Sequence, residues 1–497
     1  MYFRLDKKKE DKMIKFEVIN KHAVTHPDKI ALDDGRDKIT WKLFAELTNN
    51  IAGLLSEQLK SDSDFTAIFI SRNSMDLVVV GAAMSTLAIP FQGVDYHLDL
   101  TTIKTIVSKM NVSHVFLAKE FEDKFEALSS CCQVVMMSDV MYMASQLKFD
   151  NPRNRLQSQT AFRSYSFTSG TTGIPKVAFR TTSFDKRRFD YLTDRYDFKS
   201  SDVHLTCLPM YHVSATGWMR LFLSLGSTVV IHNYVNSYDL CEILHSKDIT
   251  TTIMSPFMLK GIVEDINVDT AFDYFKSLRF LITGGKNCTV KLKNNAMTKL
   301  GPIIYEYYGT TETGVNTLLD PHEAFQYPES VGKSYDGNSV QIIDECNKPL
   351  ATNEIGRIAI HSYMNMDCYL NAEAEFIHID GLKYLVTSDY GFKSPKDYLY
   401  LVQRSNKESI KPNNLIGIEN AVTRLPCVSD AYVYQNTADS SFHIDVVLNY
   451  YRPYQEIDEL IQKISSDKGV KKVHTTVTAC LDYTPTGKIK LPLSIAI

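Results

Sequence analysis

The segment most able to do chemistry is Phe167-Thr168-Ser169-Gly170-Thr171-Thr172-Gly173-Ile174-Pro175-Lys176. Its two glycines let the backbone approach an anion closely, its hydroxyls and free N–H groups can donate to phosphate oxygens, and Lys176 supplies a positive charge. The chemistry implied is a polyphosphate cradle. It is not a Walker loop, in which the lysine directly follows a glycine and precedes Ser or Thr; here Gly173 stands three residues before Lys176, and Val177 follows. Serine, threonine and glycine also dominate ordinary surface loops, so the segment needs company before it means ATP.

That company is present. The loop resembles the phosphate loop of the adenylate-forming superfamily, which includes acyl-CoA synthetases, peptide-synthetase adenylation domains and firefly luciferase. Three further segments resemble that family's motifs in the family's order. Tyr307-Tyr308-Gly309-Thr310-Thr311-Glu312 is similar to its YGxTE signature, and Thr387-Ser388-Asp389 to its TGD segment, with Ser388 in place of the glycine. Tyr483-Thr484-Pro485-Thr486-Gly487-Lys488 resembles the PxxxGK motif near the family's C-terminus.

The resemblance implies roles. Thr168, Ser169, Gly170, Thr171, Thr172, Gly173 and Lys176 would receive the polyphosphate, and Thr311 the α-phosphate. Glu312 would hold Mg²⁺, a hard cation that prefers oxygen ligands. Asp389 would accept both ribose hydroxyls, for which a carboxylate has the right acceptor geometry. Arg404 would be the second ribose contact, and Gly284, Gly285 and Tyr308 would border the nucleotide. Lys488 would neutralise the charge that develops when a carboxylate attacks the α-phosphorus, a step that depends on positioning and electrostatics.

The acid is hinted at by Pro209-Met210-Tyr211-His212 through Gly217, which resembles the family's PxxH segment beside the acid pocket. Members that activate amino acids carry an aspartate at the position of His212. An imidazole offers an ammonium no partner, so a plain organic acid fits better. The expected activity is that of an AMP-forming acyl-CoA synthetase, in the style of a bacterial fatty-acid or organic-acid CoA ligase, using ATP, Mg²⁺ and CoA. An acyl carrier protein is the alternative acceptor, and a catalytically silent nucleotide-binding homologue is the second alternative. Departures from the family pattern are local. Residues 405 to 419 are about three residues short and lack a glycine pair, so adenylation is better supported than thioester formation; the hinge position aligns to Asn406 or Lys407.

Positioning such residues requires strands that end where the loops begin. Short β-rich runs alternate with helical patterns: Ser164 to Phe167, Val203 to Leu208, Ser227 to Ile231, Thr250 to Met254, Arg279 to Thr283 and Pro302 to Tyr307. Helix-like spacing covers Tyr238 to Ser246 and Val290 to Lys299, a βαβα rhythm that predicts parallel sheets flanked by helices. The first 150 residues add strands at Ala67 to Ile70 and His114 to Leu117 and an amphipathic helix at Trp41 to Leu55. After about Pro328 shorter strands, such as Ser339 to Asp344, Gly356 to Ile360 and Tyr398 to Val402, suggest a β-rich subdomain. Ala431 to Tyr434, His443 to Leu448 and Glu456 to Ser466 suggest a small α+β unit. The expected class is therefore α/β. Residues 1–12 form a frayed leader, 13–403 a large domain with the β-rich part at about 328–403, and 404–497 a small mobile domain hinged near 403–408.

Composition narrows the field. A chain of 497 residues exceeds the roughly 250 to 300 at which one core stops growing. Fifty-four Lys plus Arg against 58 Asp plus Glu offers no basic footprint for nucleic acid. The longest apolar stretch, around Leu77 to Phe91, is broken by polar residues and Pro90 and reads as a buried helix and strand, so no integral membrane segment is expected. Nine scattered cysteines without a CxxC pair point to reduced thiols and a cytoplasmic location.

Overall fold

The computed structural model describes residues 16–484, 487 and 489, leaving outside that set 59–64, 148–163, 169–174, 182–185, 266–274, 336, 405–412 and 437–440. The expected leader and the hinge beyond Arg404 fall outside the described residues. The chain divides into two compact units: 1–233 with 247–253 and 366–373, and 234–246 with 254–365 and 374–497.

In the first unit, Thr251–Met254, Val203–Thr206, Thr228–Ile231 and Ile30–Asp33 lie side by side in parallel, and Lys38–Thr40 adds an antiparallel edge. A second sheet is wholly parallel, in the order Phe91–Gly93, Ala67–Ile70, His114–Leu117, Gln133–Met136. All four side chains of Ala67–Ile70 are buried, as a strand covered on both faces requires. The apolar stretch from Leu77 resolves into a helix and a strand: Met75–Thr86 is a helix capped by the Ser74 hydroxyl and buried over most of its circumference, and Phe91–Gly93 follows. A third sheet joins the hairpin Ser164–Thr168 and Lys176–Arg180 to Cys368–Tyr369.

In the second unit, Phe280–Gly284 runs parallel to Ile304–Thr310, which turns back into antiparallel Gly314–Leu319. A five-stranded antiparallel sheet is built from Asn338–Ile343, Gly356–Ser362, Leu382–Lys393, Phe376–Ile379 and Leu399–Arg404. Towards the C-terminus, Val428–Gln435, Phe442–Leu448 and His474–Thr478 form a three-stranded sheet with helices Leu415–Thr423 and Tyr454–Asp467. This region has its own apolar core, including Ile418, Val422, Val433, Ile444, Val446, Ile457 and Ile461. All nine cysteines are free thiols. Among the described residues no helix is long and apolar enough to cross a membrane.

Candidate functional site

The first unit carries the flanks of the glycine-rich loop. Thr168 and Lys176 face each other as the last register pair of their hairpin, so the hairpin holds both ends of the loop together. Ser169, Gly170, Thr171, Thr172 and Gly173 lie outside the described residues. Lys176 places its ammonium 5.1 Å from the Tyr369 ring centroid, within cation–π range. Asn371 staples the loop's exit: its Oδ1 accepts from the Val177 N–H at 2.9 Å and its Nδ2 donates to the Pro175 carbonyl at 2.9 Å. Asp367 accepts from the backbone N–H and hydroxyl of Thr181 at 2.6 and 2.7 Å. The chain returns nearly two hundred residues later to brace the loop, which no local sequence signal announces.

The His212 segment is held from below. Asn73 donates through Nδ2 to the carbonyls of Leu208 and His232, both at 2.9 Å, and accepts from Met210 N–H at 2.8 Å; Asn233 closes the pair through the Asn73 backbone. A buried amide with these bonds made is costly to replace, because each partner would be left unsatisfied. His212 sits at the N-cap of helix Val213–Leu225, with Nδ1 2.9 Å from the Ser214 hydroxyl. One turn on, the α-carbon of Gly217 faces open space, where an added methyl would meet nothing within 4 Å.

In the second unit, Phe280–Gly284 ends in Gly284 and Gly285. A Cβ on Gly284 would lie 2.5 Å from the Tyr307 carbonyl oxygen, so the close approach of the two strand ends excludes any side chain there. Gly285 has φ +76° and turns the chain away. A small cavity beside this turn is lined by Gly285, Lys286, Tyr307 and Tyr308. Thr311 and Glu312 occupy the tip of the turn between Ile304–Thr310 and Gly314–Leu319, both half-buried. The turn is tied by its own hydroxyls: Thr310 Oγ1 accepts from the Glu312 N–H at 3.2 Å and lies 3.0 Å from Thr313 Oγ1, which also accepts from Asn316 at 2.6 Å.

Tyr308 donates its hydroxyl to Asp389 Oδ2 at 2.8 Å, with both side chains buried. Asp389 lies opposite Arg404 in the antiparallel register of Leu382–Lys393 with Leu399–Arg404. The structure thus joins Tyr308, Asp389 and the backbone of Arg404, three residues far apart in the sequence. Glu312 is a hard oxygen donor of the kind Mg²⁺ prefers. Among the described residues no group of three His, Cys, Asp or Glu converges.

Lys488 lies outside the described residues, but its neighbour does not. Gly487 is buried with φ +75°, and a Cβ there would lie 2.9 Å from the Ser255 side chain. Tyr483 stacks on Phe257 with ring centroids 4.7 Å apart, and its hydroxyl donates to Asp430 Oδ2 at 2.8 Å. Lys260 binds the same oxygen at 2.6 Å. Burial and then the facing Asp430 push the Tyr483 phenol far above its ordinary range, so it stays a donor. Asp430 and Lys260 escaped the sequence reading because a lone charge on a helix or strand carries no signal of its partner.

Comparison with known proteins follows the same lines. The profile described as AMP-binding enzyme matches residues 19–370. The acyl-coenzyme A synthetase ACSM4, mitochondrial, of Rattus norvegicus is 29% identical over a stretch covering 54% of this chain and 47% of that protein, so in that match the chain spans about half the relative's length. The fatty acid–[acyl-carrier-protein] ligase ScoC of Streptomyces coeruleorubidus is 26% identical over 83% of this chain and 82% of its own. The fold is similar to that of ATP-bound MatB from Rhodopseudomonas palustris, with a TM-score of 0.81 over 97% of both chains at 18% identity.

Proposed function

We propose, from the premise that this chain belongs to the AMP-binding enzyme family, that it activates a carboxylic acid with ATP and passes the acyl group to a thiol. In the first step a carboxylate oxygen attacks the α-phosphorus, the bond to the bridging oxygen breaks, and pyrophosphate leaves. In the second, a thiolate attacks the acyl carbon and AMP departs with the anhydride oxygen, the thiol proton passing to solvent. The carboxylate is itself the nucleophile, so no side chain of the enzyme is acylated.

The observation that carries this reading is the buried Tyr308 to Asp389 bond at the base of the turn bearing Thr311 and Glu312. That bond fixes the Asp389 carboxylate, which supports its assignment as acceptor for the ribose diol, with Arg404 opposite in the ladder. Thr168 to Lys176 receive the polyphosphate, and Thr311 donates to the α-phosphate. Glu312 holds Mg²⁺, which neutralises phosphate charge. His212 and Gly217 border the acid, and Lys488 approaches the α-phosphate as the small domain closes about its hinge. The thiol is that of CoA. ScoC, whose name specifies an acyl carrier protein, supports the carrier as the second reading. Nine unbridged cysteines fit a reducing, cytoplasmic setting.

Carboxylate-dependent exchange of labelled pyrophosphate into ATP tests the first step across short, medium, long-chain and aryl acids. Lys488→Ala is expected to slow the exchange by on the order of a hundredfold to a thousandfold, the scale of losing one preorganised charge. Absence of exchange with every acid would defeat the proposal.

A further inference from the structure

Within the first unit a small cleft of about 40 Å³, open on one side, lies between helix Met75–Thr86, strand Phe91–Gly93 and helix Val213–Leu225. Phe69, Leu77, Val78, Phe91, Met210 and Met219 form an apolar wall. Arg220 lines the same cleft. Among the described residues its guanidinium has no hydrogen-bond or ion-pair partner, and burial pulls its pKa below the ordinary arginine range. Ser224, one turn on, donates its hydroxyl to the Arg220 backbone carbonyl at 2.7 Å. The polar wall residue Gln92 has its amide nitrogen committed to the Tyr211 carbonyl at 3.0 Å, so it does not compete for a guest.

A half-buried guanidinium set among apolar side chains without a counter-charge is partly stripped of water with no protein acceptor in return, which favours an anionic guest. Its planar fork of N–H donors matches a carboxylate bidentately. Apolar walls around a few polar anchors are the usual make-up of a small-molecule site. We propose that this cleft binds an organic anion with an apolar body, its carboxylate paired with Arg220. That anion has two sources: the far carboxylate of a dicarboxylic substrate, which rests on the activity proposed above, or a separate free acid.

The test begins without ATP, so it does not depend on the adenylation reading. Titration calorimetry of the full chain compares octanoate with octan-1-ol, which share a body and differ in charge. Arg220→Met should weaken octanoate at least tenfold and leave octan-1-ol within about twofold, while Arg220→Lys should recover part of the loss. Gly81→Leu fills the cleft from the opposite helix and should remove both probes. A methyl on Gly81 would meet only Phe91 at 3.7 Å, an ordinary contact, so the fold should accept that change. Equal octanoate affinity in the wild type and Arg220→Met, or no octanoate binding to the wild type, would overturn the proposal.

The second arm compares suberate with octanoate in pyrophosphate exchange. If Arg220→Met shifts the specificity ratio at least tenfold against suberate, the guest is the far end of the substrate. An unchanged ratio alongside lost octanoate binding assigns the cleft to a separate acid. If exchange is absent with every acid while octanoate still binds through Arg220, the proposed activity falls and the anion site stands.

Discussion

Lys293 and Arg220 are two cations set in apolar surroundings on two helices, and the protein treats them in opposite ways. Lys293, on Val290–Leu300, is buried and holds Glu306 at 2.7 Å, with the Ser330 carbonyl as a further acceptor. Arg220, on Val213–Leu225, faces a cleft and has no hydrogen-bond or ion-pair partner among the described residues. Burial pushes the Glu306 carboxyl upward and Lys293 pulls it back, so each member of that pair makes the other tolerable. The difference teaches where to look for a ligand: a charge already answered inside the fold is structural, and one answered by nothing is waiting for something from outside.

The largest effect should come from breaking the answered pair. Glu306→Ala leaves a buried ammonium uncompensated and is expected to destabilise the second unit by about 3 to 5 kcal/mol, whereas Lys293→Met with Glu306→Leu together should be near neutral. Chemical denaturation followed by tryptophan-independent circular dichroism measures both. A loss below about 1 kcal/mol for Glu306→Ala would mean that pairing is not what makes the buried lysine acceptable.

A carboxyl with a hydrogen bond but no ion pair should fall between the two extremes. Glu419 accepts from Asn287 Nδ2 at 2.6 Å, and burial pushes its pKa from 4.5 up to about 7 despite that bond. Between those values the folded protein holds a proton that the unfolded chain has released. The stability this contributes is therefore complete below about pH 4.5, declines as pH rises, and is gone above about pH 7, with a slope of at most about 1.4 kcal/mol per pH unit. Glu419→Gln keeps the acceptor for Asn287 and removes the titration, so its stability minus that of the wild type should grow from pH 4.5 to pH 7. Melting curves at half-unit steps that stay parallel would remove Glu419 from the comparison.

The smallest effect is expected at Asp430, whose partners Lys260 and Tyr483 leave it partly accessible. Asp430→Asn keeps an acceptor for the tyrosine and discards the charge, which should cost about 1 kcal/mol in stability. It should also lower pyrophosphate exchange a few-fold, because Asp430 anchors Tyr483, four residues before Gly487. Unchanged exchange in the presence of a measurable stability loss would make the contact purely structural.

Much of the frame was legible in the sequence because strands and helices leave periodic traces. Ala67–Ile70 and His114–Leu117 begin and end where the apolar runs do, and Val290–Leu300 differs by one residue from its sequence-based span. Boundaries drifted where hydrogen bonding rather than side-chain pattern sets the limit. The strand anticipated at Pro302 to Tyr307 runs from Ile304 to Thr310, because its ladder with Gly314–Leu319 continues through Gly309, where the strands approach too closely for any side chain.

The candidate residues that the sequence points to are those carried by contiguous motifs: Lys176, Thr311 with Glu312, and Asp389. The residues that brace such segments carry no local signal and act through space. Asn73 bonds across 135 and 159 residues to hold the His212 segment, Asn371 returns across 194 to staple the loop, and Asp430 joins Lys260 to Tyr483.

By itself the sequence determined residue types, local periodicity and the order of the motifs, since these depend on neighbours within a few positions along the chain. Which charges are answered was decided only by the tertiary structure. Lys293 and Arg220 are each a single cation on an apolar helix in the one-dimensional record. Pairing is a matter of ångströms between elements that the chain joins at a distance, and Coulomb attraction and desolvation act over that separation and not over sequence number.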